Sequence, residues 1–342
     1  MKQPLVLPVK HAVDLHPAAP FCFDASLHKP DHFPSADNRW MPGVRWQTMR
    51  WQGAPLGLKF EDRGTVDEPL LSLSVWSERE LGPAFLDSLG GEIAYRYNLD
   101  LDLSVFYARF ARDDIARDDI ARDGIAHDPA LGPVIAKWRG MRPLSPGSLY
   151  EYLIVAIVLQ NAVVRRSIHM MQALFEAYGT LLAYNGQELY CFWTPEALAD
   201  VSEEELRRLK VGYRAKSIRR VTEAFARGRI DEIALRDASR EERRVALLDL
   251  YGIGPASVGY ILFDVYHQWD ELNHISPWEQ KIYSKLFFDR DPEDPVPVEV
   301  LLQTLDARFG EWKMLAVHYL WEDLFWKRTH EQIPWLEKLI RR

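Results

Sequence analysis

The sequence predicts an α+β protein in which an N-terminal antiparallel β-sheet is followed by a mostly α-helical region. Two observations lead to this prediction. Residues 1 to about 90 contain short runs of β-branched and aromatic residues separated by Gly and Pro, which is typical of strands joined by turns. From about residue 79 onwards, apolar residues recur every three or four positions, which indicates amphipathic helices.

The predicted strands lie within residues 1–95, which we expect to form the sheet domain. GVRWQTMRW (43–51), PLGLKFED (55–62) and PLLSLSVWS (69–77) are rich in strand-favouring residues, and short breaks separate them. Because breaks of this length allow a strand to pair only with its reversed neighbour, the sheet should be antiparallel.

A connecting helical segment is expected over residues 96–148. It contains a tandem repeat, ARDDIARDDIARDGIAHDP (111–129), with a period of five residues. Because this period moves the isoleucines around a helix axis, the repeat cannot present one apolar face. We interpret it as a solvated insertion, with a partner-binding element as the alternative. The segment ends in a Pro-rich link, GMRPLSPGS (140–148).

Two further helical regions complete the predicted architecture. The first spans residues 149–270, and its start is marked by Ser148 with Glu151 three residues later, which is the pattern of a capping box. Ser202, followed by a run of glutamates, marks another helix start inside this region. The second region, residues 271–342, consists of C-terminal helices that are expected to complete an active-site cleft.

The composition excludes several classes of protein. The two cysteines, Cys22 and Cys191, cannot form a four-cysteine zinc or iron–sulfur site. The apolar run LIVAIVLQNAVV (153–164) is too short to span a membrane. Lys10 and His11 lie where a secretion signal needs an apolar core, so we expect a cytoplasmic protein without a membrane partner.

The formal net charge of −8 argues mildly against a nucleic-acid partner. Positive charge is nevertheless concentrated in LRRLKVGYRAKSIRR (206–220), so a basic face on this acidic protein stays open.

The most informative stretch, residues 241–269, contains two helical patterns joined by the tight turn YGIGPA. Glycines in such a turn permit positive φ and close approach of another backbone. The turn and the N-terminus of the second helix direct N–H groups at one external point, which suits a phosphate. We therefore expect Gly252, Ile253, Gly254 and Ala256 to bind a DNA backbone. An ordinary corner between two helices is the alternative.

The pattern L-x-G-I-G-P-x-S/T-A/V-x-Y, followed by a Pro-containing loop and a carboxylate, resembles the helix-hairpin-helix signature of the HhH-GPD DNA glycosylase superfamily. Other segments resemble, in the same order along the chain, the 3-methyladenine glycosylase II and 8-oxoguanine glycosylase branches. These segments are residues 97–114, 149–179, 211–225 and 309–326. The resemblance extends over about residues 15–330 and implies a sheet followed by two helical subdomains.

The resemblance implies a DNA N-glycosylase of base excision repair. Such an enzyme flips a damaged or modified base out of double-stranded DNA and hydrolyses its N-glycosidic bond. Which base is excised stays open, and hypermodified bases in foreign (phage) DNA are an alternative substrate. A non-catalytic lesion- or DNA-binding protein is a second alternative. We expect a monomer without an organic cofactor or iron–sulfur cluster, with a monovalent cation at the hairpin.

The superfamily places its catalytic aspartate at the start of the helix after the hairpin, where a carboxylate stabilises positive charge on the sugar. Here that region reads HISPWEQKIY (274–283). Matching the prolines places Glu279 on the aspartate, whereas an ungapped match reaches Ser276, which cannot carry a negative charge. Asp270 is the rival carboxylate. A helix-capping role is the structural alternative for Glu279.

The branches that also cleave the strand carry a lysine two residues after the second hairpin glycine, where it acts as a Schiff-base nucleophile. Ala256 occupies this position in the present sequence. Lys281 lies two residues after Glu279 along a helix and should therefore point elsewhere. The resemblance thus implies hydrolysis without AP-lyase activity.

The resemblance also assigns residues that fill the gap left by a flipped base. Gln160 matches the intercalating residue, with an amide at a helix end that bonds the backbone as the alternative. Arg165 matches an arginine that contacts the base left opposite, and Tyr213 and Arg214 match a second such pair. Ordinary surface charge is the alternative for the two arginines, and packing between helices is the alternative for Tyr213. Trp278 is predicted to stack on the extruded base, with packing in the core as the alternative.

Overall fold

The computed structural model describes residues 2–29, 33–111 and 128–339. Most of the RDDIA repeat, residues 112–127, lies outside the described residues, and its interpretation as an insertion or a partner-binding element stays a prediction.

The strands are β1 (Leu5–Val6), β2 (Val9–Leu15), β3 (Asn38–Met41), β4 (Val44–Trp51), β5 (Ala54–Asp62), β6 (Leu71–Ser77), β7 (Thr180–Tyr184) and β8 (Gln187–Cys191). The helices are α1 (Phe23–Leu27), α2 (Pro83–Arg96), α3 (Ser104–Phe110), α4 (Gly132–Lys137), α5 (Leu149–Leu159), α6 (Val164–Tyr178), α7 (Pro195–Ala199), α8 (Glu203–Arg208), α9 (Arg214–Ala226), α10 (Glu232–Asp237), α11 (Arg240–Leu248), α12 (Pro255–Asp264), α13 (Pro277–Phe288), α14 (Val298–Phe309), α15 (Lys313–His330) and α16 (Pro334–Leu339). A short 3₁₀ helix, Gly310–Trp312, precedes α15. The predicted fold class, an N-terminal antiparallel sheet followed by a mostly helical region, is confirmed.

The chain forms two compact units, and each is assembled from three stretches of sequence. The first unit lies within residues 1–18, 30–100 and 144–254, and the second lies within residues 19–29, 101–143 and 255–342. These units differ from the four consecutive segments expected from the sequence. The reason is that apolar residues of 19–29 and 101–143 share one core with the C-terminal helices, and that the chain passes between units within the hairpin.

The larger sheet of the first unit has the strand order β2-β6-β5-β4-β3, with every neighbouring pair antiparallel. Strands β4, β5 and β6 coincide with the three runs predicted from the sequence. Alternate side chains of the two central strands are fully buried, which is expected when one face of a sheet covers a core. They are Leu56, Leu58 and Phe60 of β5, and Leu71, Leu73 and Val75 of β6.

A second sheet in this unit has the order β1-β7-β8. Its strands β7 and β8 lie within residues 149–270, for which the sequence predicts helices, so that prediction is wrong for these two strands. The β7–β8 hairpin turns at Asn185 and Gly186, whose φ angles are +46° and +70°. An Asn-Gly pair between two strand-like runs is the strongest short-range hairpin signal, so the sequence contained this information. A Cβ at Gly57 of β5 would enter the ring of Tyr184 in β7, so glycine is required there.

The predicted helix starts are confirmed by their hydrogen bonds. At α5, the Glu151 N–H donates to Ser148 Oγ at 3.2 Å and the Ser148 N–H donates to Glu151 Oε2 at 2.8 Å. At α8, Ser202 and Glu205 form the same reciprocal pair. Each box satisfies two N–H groups that have no partner inside the helix.

The core of the second unit is built around α15. Tyr319 of this helix donates to the Met141 carbonyl at 2.5 Å and lies 2.9 Å, hydroxyl to hydroxyl, from Tyr107 of α3. Trp312 packs against Phe106, with ring centroids 5.7 Å apart. The loop between α12 and α13 is attached to this core because the Met314 N–H donates to the Trp269 carbonyl at 2.8 Å. The core therefore fixes the loop that precedes Glu279.

Candidate functional site

The two hairpin glycines have different structural roles. Gly252 has φ +85°, and a Cβ there would lie 2.5 Å from Ser217 Oγ, so both backbone conformation and space require glycine. Gly254 does not have a positive φ, and among the described residues nothing lies within 4 Å of a Cβ built on it. Between them Ile253 is buried and donates its N–H to the Leu250 carbonyl at 3.1 Å. Gly252 therefore serves the fold, whereas Gly254 leaves space for an external group.

Gln160, the predicted intercalating residue, follows the last residue of α5 and is held inside the first unit. Its side-chain amide donates to the Gly252 carbonyl at 2.8 Å, and its own carbonyl accepts a short hydrogen bond from Arg214 Nη2. The next residue, Asn161, is exposed and has φ +49°. Asn161 is thus exposed at this turn, whereas Gln160 is half-buried.

Tyr213 and Arg214 lie together, but only the tyrosine is exposed. Tyr213 is 57% exposed, and its hydroxyl accepts a hydrogen bond from Asn161 Nδ2 at 3.2 Å. Arg214 is 1% exposed, with its guanidinium 4.7 Å from the centroid of the Tyr213 ring. In this structure the buried Arg214 packs against the Tyr213 ring and donates to the Gln160 carbonyl, while Tyr213 is exposed.

Exposed apolar and aromatic side chains lie on the three segments that these hydrogen bonds join. We call this set the tip surface, and it consists of Asn161, Val163, Val164, Tyr213 and Tyr251. Two cations adjoin it: Arg165 is exposed in the first turn of α6, and Lys216 Nζ lies 4.8 Å from the centroid of the Tyr251 ring. Exposed aromatic rings next to cations are typical of surfaces that bind nucleic-acid strands.

In the second unit, Glu279 lies in the first turn of α13 and takes part in a capping box. Ser276 donates its N–H to Glu279 Oε2 at 2.8 Å, and Ser276 Oγ accepts the Glu279 N–H at 3.3 Å. The structural alternative predicted for Glu279 is therefore present. It also brings the carboxylate back to Ser276, the residue reached by the ungapped match to the superfamily.

The other oxygen of the same carboxylate has a partner from the preceding helix. Tyr260 of α12 donates its hydroxyl to Glu279 Oε1 in a short hydrogen bond. Glu279 is 5% exposed, so both of its oxygens are held in a largely water-excluded position. Burial and the negative charge of Glu279 raise the pKa of Tyr260 well above its usual value, which keeps this tyrosine protonated as a donor.

Tryptophan and tyrosine rings surround the start of α13. Trp278 is 40% exposed and stacks on Trp321 of α15, with ring centroids 5.1 Å apart and an interplanar angle of 18°. Trp321 Nε1 donates to the Tyr283 hydroxyl at 3.0 Å. Burial and the charge of Glu279 raise the pKa of Tyr283 above its usual value. Trp278 thus has one face against Trp321 and part of its surface open to a ligand.

The remaining predicted residues are placed as follows. Asp270, the rival carboxylate, lies half-buried in the loop before α13, and its carbonyl accepts the Leu272 N–H at 2.8 Å. Ala256 is the second residue of α12. Lys281 pairs with Glu293 at 3.0 Å.

Neither a metal site nor a membrane-spanning element is found among the described residues. No three His, Cys, Asp or Glu side chains in this part of the chain are grouped so that they could hold a metal ion. No described helix has the length and apolar composition needed to cross a membrane. The predicted monovalent cation would use backbone carbonyls of the hairpin, where those of Leu250 and Gly252 accept the hydrogen bonds given above.

Sequence reasoning missed three residues of these two sites: Tyr260, Asn161 and Trp321. A signal existed for the position of Glu279, because Ser276-Pro-Trp-Glu279 has the Ser-x-x-Glu spacing of a capping box. The pairing of Tyr260 with Glu279, and of Trp278 with Trp321, depends on contacts between different helices, for which a single sequence contains no local signal.

The fold is shared with solved DNA glycosylases. A 3-methyladenine DNA-glycosylase from Archaeoglobus fulgidus superposes with a TM-score of 0.70 at 14% identity, covering 94% of this chain and 100% of that chain. The 8-oxoguanine glycosylase/lyase of Clostridium acetobutylicum, in complex with dsDNA containing cytosine opposite 8-oxoG, superposes with a TM-score of 0.65 at 15% identity. That match covers 95% of this chain and 99% of that chain. At these identities the likeness establishes the fold class.

Sequence comparison supports the resemblance inferred from the motifs. Residues 154–308 match the model of the HhH-GPD superfamily base excision DNA repair protein. The DNA-3-methyladenine glycosylase of Bacillus subtilis (strain 168) is 22% identical over 235 residues, which is 67% of this chain and 70% of that relative. The resemblance to the HhH-GPD superfamily is therefore confirmed by a match over residues 154–308.

Proposed function

We propose that the protein is a monofunctional DNA glycosylase that removes a damaged or modified base from double-stranded DNA and leaves an abasic site. The observation that carries this proposal is the Glu279 carboxylate, which Ser276 and Tyr260 hold at the N-terminus of α13. The superfamily domain over residues 154–308, and its DNA glycosylase relatives, support the same class of activity.

The proposed role of Glu279 follows from the charge that develops during the reaction. As the base departs with the bonding electrons, positive charge accumulates on the deoxyribose, and a fixed carboxylate in a water-excluded site stabilises it. Water then supplies hydroxide to C1′, and its proton ends on the departing base. A carboxylate has about four lone-pair positions, so Glu279 still has one position per oxygen for the sugar or the attacking water.

The proposed DNA contacts lie on the hairpin and on the tip surface. The space in front of Gly254 allows close approach of a phosphate to the backbone N–H groups, which gives affinity without reading sequence. Arg165 and Lys216 add attraction for phosphates, and Asn161 with Tyr213 would fill the space of a flipped nucleotide. The Clostridium acetobutylicum relative in complex with dsDNA supports DNA as the partner.

The extruded base is proposed to stack on Trp278. Its partly exposed surface is backed by Trp321, which restricts the indole to one orientation and lowers the entropy lost on stacking. Stacking of a base on an aromatic side chain is worth about 1–3 kcal/mol. Stacking is tolerant of base identity, so this surface alone admits alkylated, oxidised and hypermodified bases.

We also propose that strand cleavage does not follow base removal. Ala256 occupies the position of the Schiff-base lysine in the superfamily branches that carry one, and Lys281 is paired with Glu293. Without a lysine at position 256, the abasic product lacks the Schiff-base route to β-elimination that those branches use. The Clostridium acetobutylicum relative is a glycosylase/lyase, so this chain is proposed to differ from it.

The proposed enzyme acts as a cytoplasmic monomer without an organic cofactor, with a monovalent cation at the carbonyls of the hairpin turn. Backbone carbonyl oxygens suit a hard cation of this kind. Replacement of K⁺ by tetramethylammonium at constant ionic strength tests the cation, because it should weaken DNA binding if the carbonyls hold an ion.

A non-catalytic DNA-binding or lesion-sensing protein is the second candidate. It is favoured by one observation, which is that Glu279 stands in place of an aspartate and serves as the N3 residue of a capping box. In this case, the hairpin and the tip surface would bind DNA as described above, and the bound DNA would keep its bases.

One experiment separates these proposals. Duplexes that each contain one alkylated, oxidised or hypermodified base are incubated with the protein and then treated with alkali, which cleaves at abasic sites. Alkali-dependent cleavage of at least one duplex is expected, without cleavage before alkali. Cleavage before alkali, with a covalent adduct trapped by borohydride, would show lyase activity. Binding without base release from any duplex would establish the second candidate.

A further inference from the structure

The Glu279 carboxylate receives one hydrogen bond on each oxygen, and the donors come from different elements. Ser276 precedes α13, and Tyr260 lies in the middle of α12. We propose that Tyr260 is a positioning residue that fixes the orientation of the Glu279 carboxylate toward the deoxyribose. This inference rests on the proposed glycosylase function, and it assigns to Tyr260 a role in the rate of base release.

The need for a second donor follows from the length of the glutamate side chain. The capping box holds only Oε2, and the terminal torsion of a glutamate is broad and roughly two-fold. With that single anchor, Oε1 would rotate over a wide range, and the charge that should face the sugar would be spread over many positions. A donor on Oε1 removes this rotation, so the longer side chain acquires one orientation.

Tyr260 is suited to this task in its chemistry and in its location. The groups that face it, Glu279, Tyr283 and Asp264, all disfavour a tyrosinate, so its hydroxyl stays a donor. Tyr260 comes five residues after Pro255, the first residue of α12, which is about 8 Å along the helix axis. The second helix of the hairpin therefore carries the group that orients the carboxylate, and this helix starts where the hairpin turn ends.

The exposure of Tyr260 distinguishes positioning from simple packing. Although its hydroxyl contacts a buried carboxylate, the residue as a whole is 41% exposed. A residue that only filled the core would be enclosed, as Tyr283 is in the middle of α13. The main contribution of Tyr260 is therefore the hydrogen bond from its hydroxyl to Glu279 rather than the packing of its ring in the core.

The test compares Tyr260→Phe with the wild-type protein on a duplex from which the wild type releases a base. The change keeps the ring and removes only the hydroxyl. Because a hydrogen bond to a charged group is worth about 1.5–3 kcal/mol, we expect the single-turnover rate to fall about 10- to 100-fold. DNA affinity, measured by fluorescence anisotropy, should change less than about 3-fold, since the hydroxyl is engaged by Glu279.

One further readout excludes a merely structural effect. In a Glu279→Gln background, Tyr260→Phe should cause no additional loss of rate, because the charge that it positions is absent. This double-mutant cycle reports the coupling even if Tyr260→Phe is less stable than the wild type.

Tyr319→Phe is the matched control. It also removes one buried tyrosine hydroxyl from the second unit, but this hydroxyl bonds to the Met141 carbonyl and to Tyr107. We expect a lower melting temperature with an unchanged rate. An unchanged rate in Tyr260→Phe would overturn the positioning role and leave the proposed function intact. Failure of the wild type to release any base would overturn both.

Discussion

The end of α5 and the start of α13 contain the two groups of residues to which the sequence assigns function, and the two helix ends are completed differently. At the end of α5, the Gln160 carbonyl accepts a hydrogen bond from Arg214 and the Gln160 amide donates to the Gly252 carbonyl. The next residue, Asn161, is exposed. At the start of α13, a capping box holds Ser276 and Glu279 together. At the end of α5, hydrogen bonds inside the protein engage the carbonyl and the side-chain amide of Gln160. At the start of α13, hydrogen bonds hold the Glu279 carboxylate in one place.

The difference lies in how many hydrogen bonds each group is able to form. The Arg214 guanidinium is buried and donates to the Gln160 carbonyl, so it is not available to DNA without breaking this bond, and the Gln160 amide already donates one N–H to the Gly252 carbonyl. The Glu279 carboxylate uses one lone pair per oxygen and has others left. At the end of α5, the hydrogen bond that holds Arg214 therefore competes with binding of Arg214 to DNA. At the start of α13, the hydrogen bonds to Glu279 leave its carboxylate able to act on a substrate.

The largest effect is expected from Glu279→Gln. Glutamine also forms a capping box, so the variant should keep the fold of the α13 start while losing the charge. We expect base release to fall about 10²- to 10⁴-fold, as for loss of a group that acts on the transition state. Single-turnover rates and anisotropy on the same duplex measure rate and affinity separately, and affinity should be unchanged. A fully active Glu279→Gln protein would contradict the role of the carboxylate.

Ser276→Ala is the matched control for this variant. It removes the hydroxyl that caps α13 but leaves the charge of Glu279, which keeps its bond from Tyr260. We expect a loss of about 0.5–2 kcal/mol in the free energy of unfolding, with a much smaller loss of rate than in Glu279→Gln. If both variants lost the same rate, the cap rather than the charge would be responsible.

The next largest effect separates the two hairpin glycines. Gly252→Ala places a Cβ at φ +85° and against Ser217, and the backbone term alone should lower the free energy of unfolding by about 1–2 kcal/mol. Gly254→Ala should change it by less than about 0.5 kcal/mol, since a Cβ there meets nothing.

In DNA affinity, Gly254→Ala should have the larger effect, which is the reverse of the order expected for the free energy of unfolding. Gly254→Ala fills the space through which we propose that a phosphate approaches, so its affinity should fall more than that of Gly252→Ala measured below its melting temperature. Urea denaturation and anisotropy together give both orders. Equal stabilities for the two variants would contradict the structural role assigned to Gly252, and wild-type affinity in Gly254→Ala would contradict the proposed backbone contact.

Local signals account for most of what the sequence predicted. The strand runs, the capping boxes at Ser148 and Ser202, and the hairpin turn with Gly252 each depend on neighbours within a few residues. The β7–β8 hairpin also had such a signal, in Asn185-Gly186, but the helical pattern around it dominated the prediction. The family followed from the order of several motifs along the chain.

The rest of the site depends on contacts between distant residues. The burial of Arg214 follows from the position of the Gln160 carbonyl, 54 residues away, and the Tyr260–Glu279 bond joins residues on two helices. A single sequence gives the type of these side chains but not which of their atoms already form hydrogen bonds inside the protein. For this reason Glu279 was predicted as either a catalytic or a capping residue, while the structure permits both roles together.

The smallest effect should distinguish Arg165 from Arg214, which the sequence treats alike. Arg165 is exposed, so Arg165→Met should leave the melting temperature unchanged and reduce the slope of log affinity against log salt by about 1, as for one lost phosphate contact. Arg214→Met removes the donor to the Gln160 carbonyl and should lower the free energy of unfolding by about 1–3 kcal/mol. Its salt slope should match the wild type. A salt slope reduced by Arg214→Met and unaffected by Arg165→Met would mean that Arg214 leaves its buried position when DNA binds, and the turn at Gln160 would then rearrange on DNA.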